Sequence, residues 1–274
     1  MTNTDIQQVT IDGETRLLAI IGDPIGQVKS PRTLNPRFAA AGIDTVLLPV
    51  HVKPELFDIT LQGLMAVGNL DGIIITVPYK TRILPLIDDV SPMAAQVGAA
   101  NAMRRQPNGR WYGDMFDGRG LVRGLRNAAI APAGRRVMLI GAGGAGSAVA
   151  VALADAGVAV LTIFDVDSNK ADALARRVAV AFPACSVRTG PVDIPGNNTL
   201  INATPIGMAP GDGTPAPLDG LTSEVLVIDV IIKPETTPLL DRAREIGCRT
   251  FNGRLMLDGQ ADELAGFFGA GERR

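Results

Sequence analysis

Val137-Met138-Leu139-Ile140 followed by Gly141-Ala142-Gly143-Gly144-Ala145-Gly146 is the stretch that decides how this chain folds. Glycines at 141, 143 and 146 fill the G-x-G-x-x-G spacing. That spacing alone also fits an ordinary tight turn. Here an apolar run precedes it, an Ala-rich helical pattern over 145–156 follows, and a second β-rich run over 158–164 ends at Asp165. Strand, glycine turn, helix and acid-ended strand together describe a dinucleotide site. Gly141 permits the tight turn, Gly143 lets the backbone approach a pyrophosphate, and Gly146 lets the helix pack close to the sheet. The phosphates then rest on free N–H groups at the positive end of the helix. Gly141, Ala142, Gly143, Gly144, Ala145 and Gly146 are therefore the candidate cofactor-binding residues.

Asp165 lies about twenty residues past the glycines, where an acid accepts hydrogen bonds from the adenosine ribose hydroxyls. Taken alone it could equally be a solvated strand-end aspartate, or a cap for the helix opening at Ser168, a role for which Asp167 competes. Val166 and Asp167 follow it, so no Arg or Lys waits there for a 2′-phosphate, and a carboxylate would repel one. The expected cofactor is NAD rather than NADP.

Outward from this stretch, short β-branched runs alternate with longer helical patterns, which predicts parallel sheets with crossover helices. Residues 17–21, 45–49 and 72–77 read as strands. Residues 30–41 and 54–67 read as helices, the first opened by Ser30 as cap and Pro31 in the first turn. A hairpin is expected over 100–104 and 110–113, turning at 106–109. The pattern changes at Asp117: 118–129 is helical, 131–135 a loop, 137–140 a strand and 168–182 a helix. Strands at 199–202 and 225–229 and a helix at 237–246 complete the series. The fold class is α/β, a Rossmann doubly wound NAD-binding domain plus a smaller α/β substrate domain. The expected boundaries are 118–252 for the first and 1–117 with 253–274 for the second.

The chain has 274 residues, 46% hydrophobic and 20% charged, with a formal charge of -2, so it builds ample core and offers no basic surface for nucleic acid or anionic lipid. Cys185 and Cys248 are too few for a disulfide framework and read as free thiols in buried strands. His51 is the single histidine and has no Cys or His cluster to complete a metal site. Residues 1–10 are polar and lack a secretory signal, and no apolar run is long enough to span a bilayer. A soluble, cytoplasmic monomer or homodimer that meets a small molecule, with no nucleic acid, membrane or metal partner, is the expectation.

Further residues resemble one family. Gly22-Asp23-Pro24-Ile25 with Ser30-Pro31 and Asn35 is similar to the opening stretch of the shikimate/quinate dehydrogenases. Thr76-Val77-Pro78-Tyr79-Lys80 resembles their T-x-P-x-K element, and Gly98-Ala99-Ala100-Asn101 their G-A-x-N. Asp117-Gly118-Arg119-Gly120 resembles D-G-x-G, and Asn202-Ala203-Thr204 with Gly207-Met208 matches N-A-T-x-x-G-M. Asp229, Pro234 and Thr237 fall near a D-x-x-Y-x-P-x-x-T element, and Asn252-Gly253, Met256-Leu257 and Gln260 echo the family's last helix. The matches stay in order and span almost the whole chain.

The resemblance implies hydride transfer between a nicotinamide and a ring carbon bearing a hydroxyl, with Lys80 and Asp117 as catalytic pair. Asn101, Gln260, Ser30 and Thr76 would hold a hydroxy-acid substrate, and Asn202 and Thr204 would join the cofactor site. Oxidising an alcohol requires loss of the hydroxyl proton as hydride leaves, and a lysine desolvated in a cleft can serve. Without the family, Lys80 reads as a surface lysine and Asp117 as a helix N-cap.

The match breaks where polar groups have become apolar. Val28 replaces the first serine of the opening motif, and Gln27 and Leu34 replace its histidines. Ile74 replaces the asparagine before Thr76, Met115 and Phe116 an asparagine and a threonine, and Ile232 a tyrosine. Losing the partner of a buried polar group costs about 1–3 kcal/mol. Either the substrate is a related hydroxylated ring compound with differently placed groups, or shikimate and quinate are poor substrates. Lys29, Arg32 or Arg254 could supply a replacement carboxylate clamp. A non-catalytic NAD-binding sensor is the third reading, and retention of Lys80, Asp117, Asn101 and Gln260 speaks against it.

Overall fold

The computed structural model describes residues 11–270. The reading of 1–10 and the end of the 269–274 tail lie outside the described residues. Two compact units emerge. The first comprises Met1–Ser91, Ala100–Asp114 and Ala261–Arg274, and the second Pro92–Ala99 and Met115–Gln260. The division departs from the expected boundaries in placing 92–99, 115–117 and 253–260 with the second unit.

The first unit holds β1 (Arg16–Gly22), α1 (Ser30–Ala40), β2 (Thr45–His51), α2 (Phe57–Ala66), β3 (Leu70–Ile75) and β4 (Asp89–Val90), followed after α3 by β5 (Ala102–Arg105) and β6 (Trp111–Asp114). α3 (Pro92–Val97) belongs to the second unit. The strands form one sheet in the order β2-β1-β3-β5-β6-β4. β1 is parallel to β2 and β3, and its Leu18, Ala19, Ile20 and Ile21 are buried, as an unbroken apolar run flanked by parallel strands requires. β2 is an edge strand, which is why Pro49 is tolerated inside it. The expected hairpin is β5–β6, and β5 runs antiparallel to β3. Asn35 ties α1 to β2 through both amide atoms. Its Nδ2 donates to the Leu47 carbonyl (3.2 Å) and its Oδ1 accepts from the Leu47 N–H (2.8 Å).

Two local expectations need correction here. Lys29, not Ser30, is the N-cap of α1, and Ser30 is buried one step inside the helix, although Pro31 does sit in the first turn. Residues 54–67 are not one helix: a 3-10 turn over Pro54–Leu56 leads into α2. Helix α3 and strand β4 had no signal of their own, both being too short to show a period.

The second unit continues with α4 (Asp117–Asn127), β7 (Arg136–Ile140), α5 (Gly144–Asp155), β8 (Val160–Phe164), α6 (Ser168–Ala181), β9 (Ser186–Thr189), β10 (Thr199–Asn202), β11 (Leu226–Asp229), α7 (Pro238–Ile246) and β12 (Thr250–Phe251). α8 (Arg254–Phe267) gives this unit its residues up to Gln260. Every strand pair is parallel, and the order is β12-β11-β10-β7-β8-β9, the doubly wound Rossmann arrangement. Met138, Leu200 and Val227 from the sheet pack with Leu239, Leu240 and Ala243 of α7. Cys185 and Cys248 are buried, but neither lies in a strand: each sits in the connection leading into an edge strand, β9 or β12. Burial pushes both thiols above their ordinary values. Among the described residues no helix is long and apolar enough to cross a membrane.

Helix α4 is held where only glycine fits. A Cβ on Gly118 would lie 2.0 Å from the Ala148 carbonyl oxygen, and one on Gly120 would lie 2.5 Å from that of Met256. A Cβ on Gly124 would meet the Leu255 oxygen at 2.3 Å, and one on Gly259 the Gly120 oxygen at 2.1 Å. These are backbone atoms that cannot rotate away, so the glycines let α5 and the first half of α8 come to van der Waals contact with α4. That packing fixes Asp117, the first residue of α4.

Candidate active site

In the Rossmann sheet the chain order reverses between β7 and β10, and ligands of such sheets bind outside the strand ends at that point. Gly141 follows β7 with φ +104°. A Cβ there would stand 2.9 Å from the Ala203 carbonyl carbon and 3.0 Å from Thr204 Cγ2, while the Ala203 N–H donates to the Ile140 carbonyl (2.7 Å). Gly146 is equally constrained, with its would-be Cβ 2.0 Å from the Gly141 oxygen. Gly143 differs: a Cβ there would meet nothing within 4 Å. No protein contact demands glycine at 143, and the open space lies at the N-terminus of α5, whose N-cap is Gly143 and which no side chain caps. Unspent helix N–H groups beneath open space fit a pyrophosphate.

Asp165 follows β8 and holds this turn. Its Oδ2 accepts from the Ala142 N–H (2.7 Å) and its Oδ1 from the Asp167 N–H (2.9 Å). A carboxylate has about four acceptor sites, so hydroxyl donors can still be served. Asp167 is the cap of α6, accepting from the Asn169 N–H (3.1 Å), which settles the competition for that role.

Asn202 ends β10 and is fully buried. Its Oδ1 accepts from Thr204 N–H (3.0 Å) and Oγ1 (2.7 Å), and its Nδ2 donates to the Ile206 carbonyl and to Asp229 Oδ1 (both 3.2 Å). Those four bonds use the whole capacity of an amide, so Asn202 shapes the Thr204 turn and has nothing left to offer a ligand. Asp229 also accepts from Thr237 Oγ1 (2.7 Å) and the Ile231 N–H (3.0 Å). Burial raises its carboxyl above the ordinary value, and the three hydrogen bonds pull it back. The sequence named Asp229 and Thr237 without showing that they form one network with Asn202.

A second anchor of this loop had no sequence signal beyond a turn. Asp212 Oδ2 accepts from the N–H groups of Gly207 (2.8 Å) and Ala209 (3.0 Å). The Ala209 and Gly207 bonds hold this carboxyl below its ordinary value. A lowered folded value means the contribution is present above the unfolded value and lost as pH falls through the folded one. Amide hydrogen exchange over 204–213, corrected for its intrinsic pH dependence, should speed up roughly tenfold in Asp212→Ala at neutral pH. In the unsubstituted protein the same rise should appear only below the ordinary carboxylate range.

In the first unit, the ends of β1 and β3 lie side by side. A Cβ on Gly22 would stand 2.3 Å from Thr76 Cγ2, and the Asp23 N–H donates to the Val77 carbonyl (2.9 Å). The turn after β3 then delivers Lys80. Tyr79 anchors it by stacking on Phe57 (4.3 Å between ring centroids) and by donating from its hydroxyl to the Val52 carbonyl (2.5 Å). Burial raises the Tyr79 phenol above its ordinary value, and the nearby Asp23 charge adds to this. The Lys80 carbonyl accepts from the Ala100 N–H (2.9 Å), and the Asn101 carbonyl accepts from the Ile75 N–H (2.8 Å). Thr76, Lys80 and Asn101 are thus gathered at one end of one sheet, with Ser30 buried at the start of α1. His51 pairs with Asp23 (Nε2 to Oδ1, 2.7 Å). In the second unit, Gln260 Nε2 donates to Asp117 Oδ1 (3.4 Å), and both side chains are buried. Asp117 is a first-turn residue; the N-cap of α4 is Phe116.

Residues 20–103 match the shikimate dehydrogenase substrate binding domain. The chain is 36% identical over 257 residues to a shikimate dehydrogenase (NADP(+)) of Rhodospirillum rubrum, covering 90% of this chain and 89% of that one. The chain belongs to the shikimate dehydrogenase family. A shikimate 5-dehydrogenase of Listeria monocytogenes, solved with shikimate and NAD, superposes with a TM-score of 0.81 at 32% identity, covering 94% of this chain and 93% of its own. The ligand-free 5-ketofructose reductase of Gluconobacter sp. strain CHM43 gives 0.78 at 30% identity, covering 93% of each.

Against other members of the shikimate dehydrogenase family, the replaced positions have identifiable surroundings. Ile74 is buried in β3, and Met115 and Phe116 are buried ahead of α4. The Phe116 ring carries the Arg119 guanidinium over its face (4.6 Å). Ile232 packs against the site of Gly253, where a Cβ would meet its Cγ1 at 2.8 Å. Among the possible replacement cations, Arg32 and Arg254 are exposed and Lys29 is half-buried.

Proposed function

We propose that this chain is an NAD-preferring oxidoreductase that moves hydride reversibly between the nicotinamide and a ring hydroxyl of a shikimate- or quinate-like compound. The observation that carries it is the Gly141–Gly146 turn with Asp165 bonded into it, on a chain of this family. A nicotinamide dinucleotide held by Gly141–Gly146 and Asp165 would supply the hydride acceptor, and in its reduced form the donor. Lys80 takes the hydroxyl proton as the hydride leaves and returns it in the reverse direction. Asp117 is its partner in the acid–base pair. Asn101, Ser30, Thr76 and Gln260 hold the substrate.

NAD rather than NADP follows from charge. Asp165 ends the second strand past the glycines, the position from which an acid serves the adenosine ribose hydroxyls in this fold, and bringing a 2′-phosphate to a carboxylate costs several kcal/mol. The Rhodospirillum rubrum relative is named for NADP(+), and the Listeria monocytogenes one was solved with NAD, so family membership alone does not choose. Initial rates with both cofactors, across shikimate, quinate and simpler hydroxycyclohexane acids, test both halves of the proposal. NAD should be favoured in kcat/KM by roughly tenfold or more, and Asp165→Asn should narrow the gap while keeping an acceptor for the Ala142 N–H. A preference for NADP in the unsubstituted protein would sink the cofactor assignment.

A second reading keeps the chemistry and changes the substrate. Val28, Ile74, Met115 and Phe116 are apolar where the family is polar, and a 5-ketofructose reductase shares the fold over nearly the whole chain. Full activity on shikimate at ordinary affinity would dismiss it.

A further inference from the structure

Two central strands of the Rossmann sheet end in polar side chains that no solvent reaches. Asn202 closes β10 and Asp229 closes β11, and both are 0% exposed. Burying a carboxylate is costly, and apolar side chains of like volume often fill such a space at less cost. What Asp229 adds is direction. Its Oδ1 accepts from Asn202 Nδ2 (3.2 Å) and from the Ile231 N–H (3.0 Å), and its Oδ2 accepts from Thr237 Oγ1 (2.7 Å). One carboxylate thus ties together the end of β10, the loop after β11 and the N-cap of α7. Gly207 packs onto the same group: a Cβ there would lie 3.3 Å from Thr237 Cβ and 3.5 Å from Ile231 Cδ1. What the network holds is the Ala203–Thr204 turn, because Asn202 Oδ1 takes both the N–H and the hydroxyl of Thr204. That turn lies directly against Gly141.

We infer that Asp229 is a positioning residue that sets, through Asn202, where the Ala203–Thr204 turn stands for the nicotinamide half of a dinucleotide. It touches neither cofactor nor substrate. The inference rests on the cofactor reading above. With the adenosine ribose served from the end of β8, a dinucleotide spanning the switch point lays its other half on the opposite side, at the ends of β10 and β11. Asn202 and Asp229 spend their bonds on protein there, so what they present to a ligand is the backbone they hold. A fully satisfied buried network fixes such a backbone in one arrangement, which apolar packing does less sharply.

The test titrates NADH and ADP-ribose, which lacks the nicotinamide, by calorimetry, and follows bound NADH by its fluorescence. Asp229→Leu removes all three bonds at similar volume. It should weaken NADH about tenfold and shift its bound emission, while ADP-ribose affinity holds. Asp229→Asn keeps an Oδ1 acceptor for Asn202 and Ile231 and should bind both compounds as the parent does. A role confined to stability would lower Tm in Asp229→Leu and leave the ratio of NADH to ADP-ribose affinity unchanged. That result overturns the inference, as does equal weakening of both compounds. Asp229→Ser makes the same comparison should Asp229→Leu not fold. The titrations are repeated with NADPH and 2′-phospho-ADP-ribose. If the parent binds this pair better, the NAD preference fails, and a ratio that collapses within the pair in Asp229→Leu still supports Asp229. A parent that binds neither pair removes the cofactor reading and this inference with it.

Discussion

Lys80→Ala is expected to lower turnover by 10²- to 10⁴-fold, the range for a lost general acid–base group, with NAD affinity unchanged. The variant is clean for structural reasons. Lys80 is half-buried, and its carbonyl bond to the Ala100 N–H is made by the backbone and survives the change. The turn is held by the buried Tyr79 next to it. Lys80→Arg should stay slow, because a guanidinium does not release its proton near neutral pH. Steady-state rates and NAD titration by calorimetry separate the outcomes. Turnover that survives Lys80→Ala would remove the residue from the mechanism, and NAD binding without turnover in the unsubstituted protein would revive the sensor reading.

Gly146→Ala carries the second large effect. Its Cβ would stand 2.0 Å from the Gly141 oxygen and 2.8 Å from the Gly141 carbonyl carbon, both backbone atoms of the turn. Relief requires α5 to move away from β7, which spoils sheet packing and the phosphate cradle together. Overpacking of this kind costs about 1–3 kcal/mol, and in a chain of this size each kcal/mol lowers Tm by roughly 2–4 °C. NAD affinity should fall at least about tenfold. Gly143→Ala is the control: its Cβ faces open space, so Tm should hold while NAD affinity falls. Thermal melting with and without NAD reads both. Equal NAD affinity in Gly143→Ala and the parent would show that the cofactor backbone does not approach this residue.

The nucleotide half was legible because its signals are local. A glycine with positive φ after an apolar strand, a helix of small residues and an acid at the next strand end all sit within thirty-odd residues of chain. The same logic explains what went unseen. β9 is a short, largely exposed edge strand, Ser-Val-Arg-Thr, with no apolar alternation to betray it. Asp212 reads as a loop aspartate until its carboxylate is found on the Gly207 and Ala209 N–H groups. Asn202 carries the family motif, yet its neighbours commit all four of its hydrogen bonds inside the protein.

By itself the sequence determined the α/β class and the glycine turn, and it raised the expectation of NAD at Asp165; local propensity and spacing suffice for these. Lys80, Asp117, Asn101 and Gln260 were named as candidates only by the ordered motifs of the family resemblance. Tertiary structure alone decided which side chains are spent and which are free to meet a ligand. Hydrogen-bond satisfaction is a property of distant partners: Asn202 with Asp229, and Gln260 with Asp117 across 143 positions. It also decided why α4 needs its glycines, since the atoms that forbid a Cβ belong to α5 and α8.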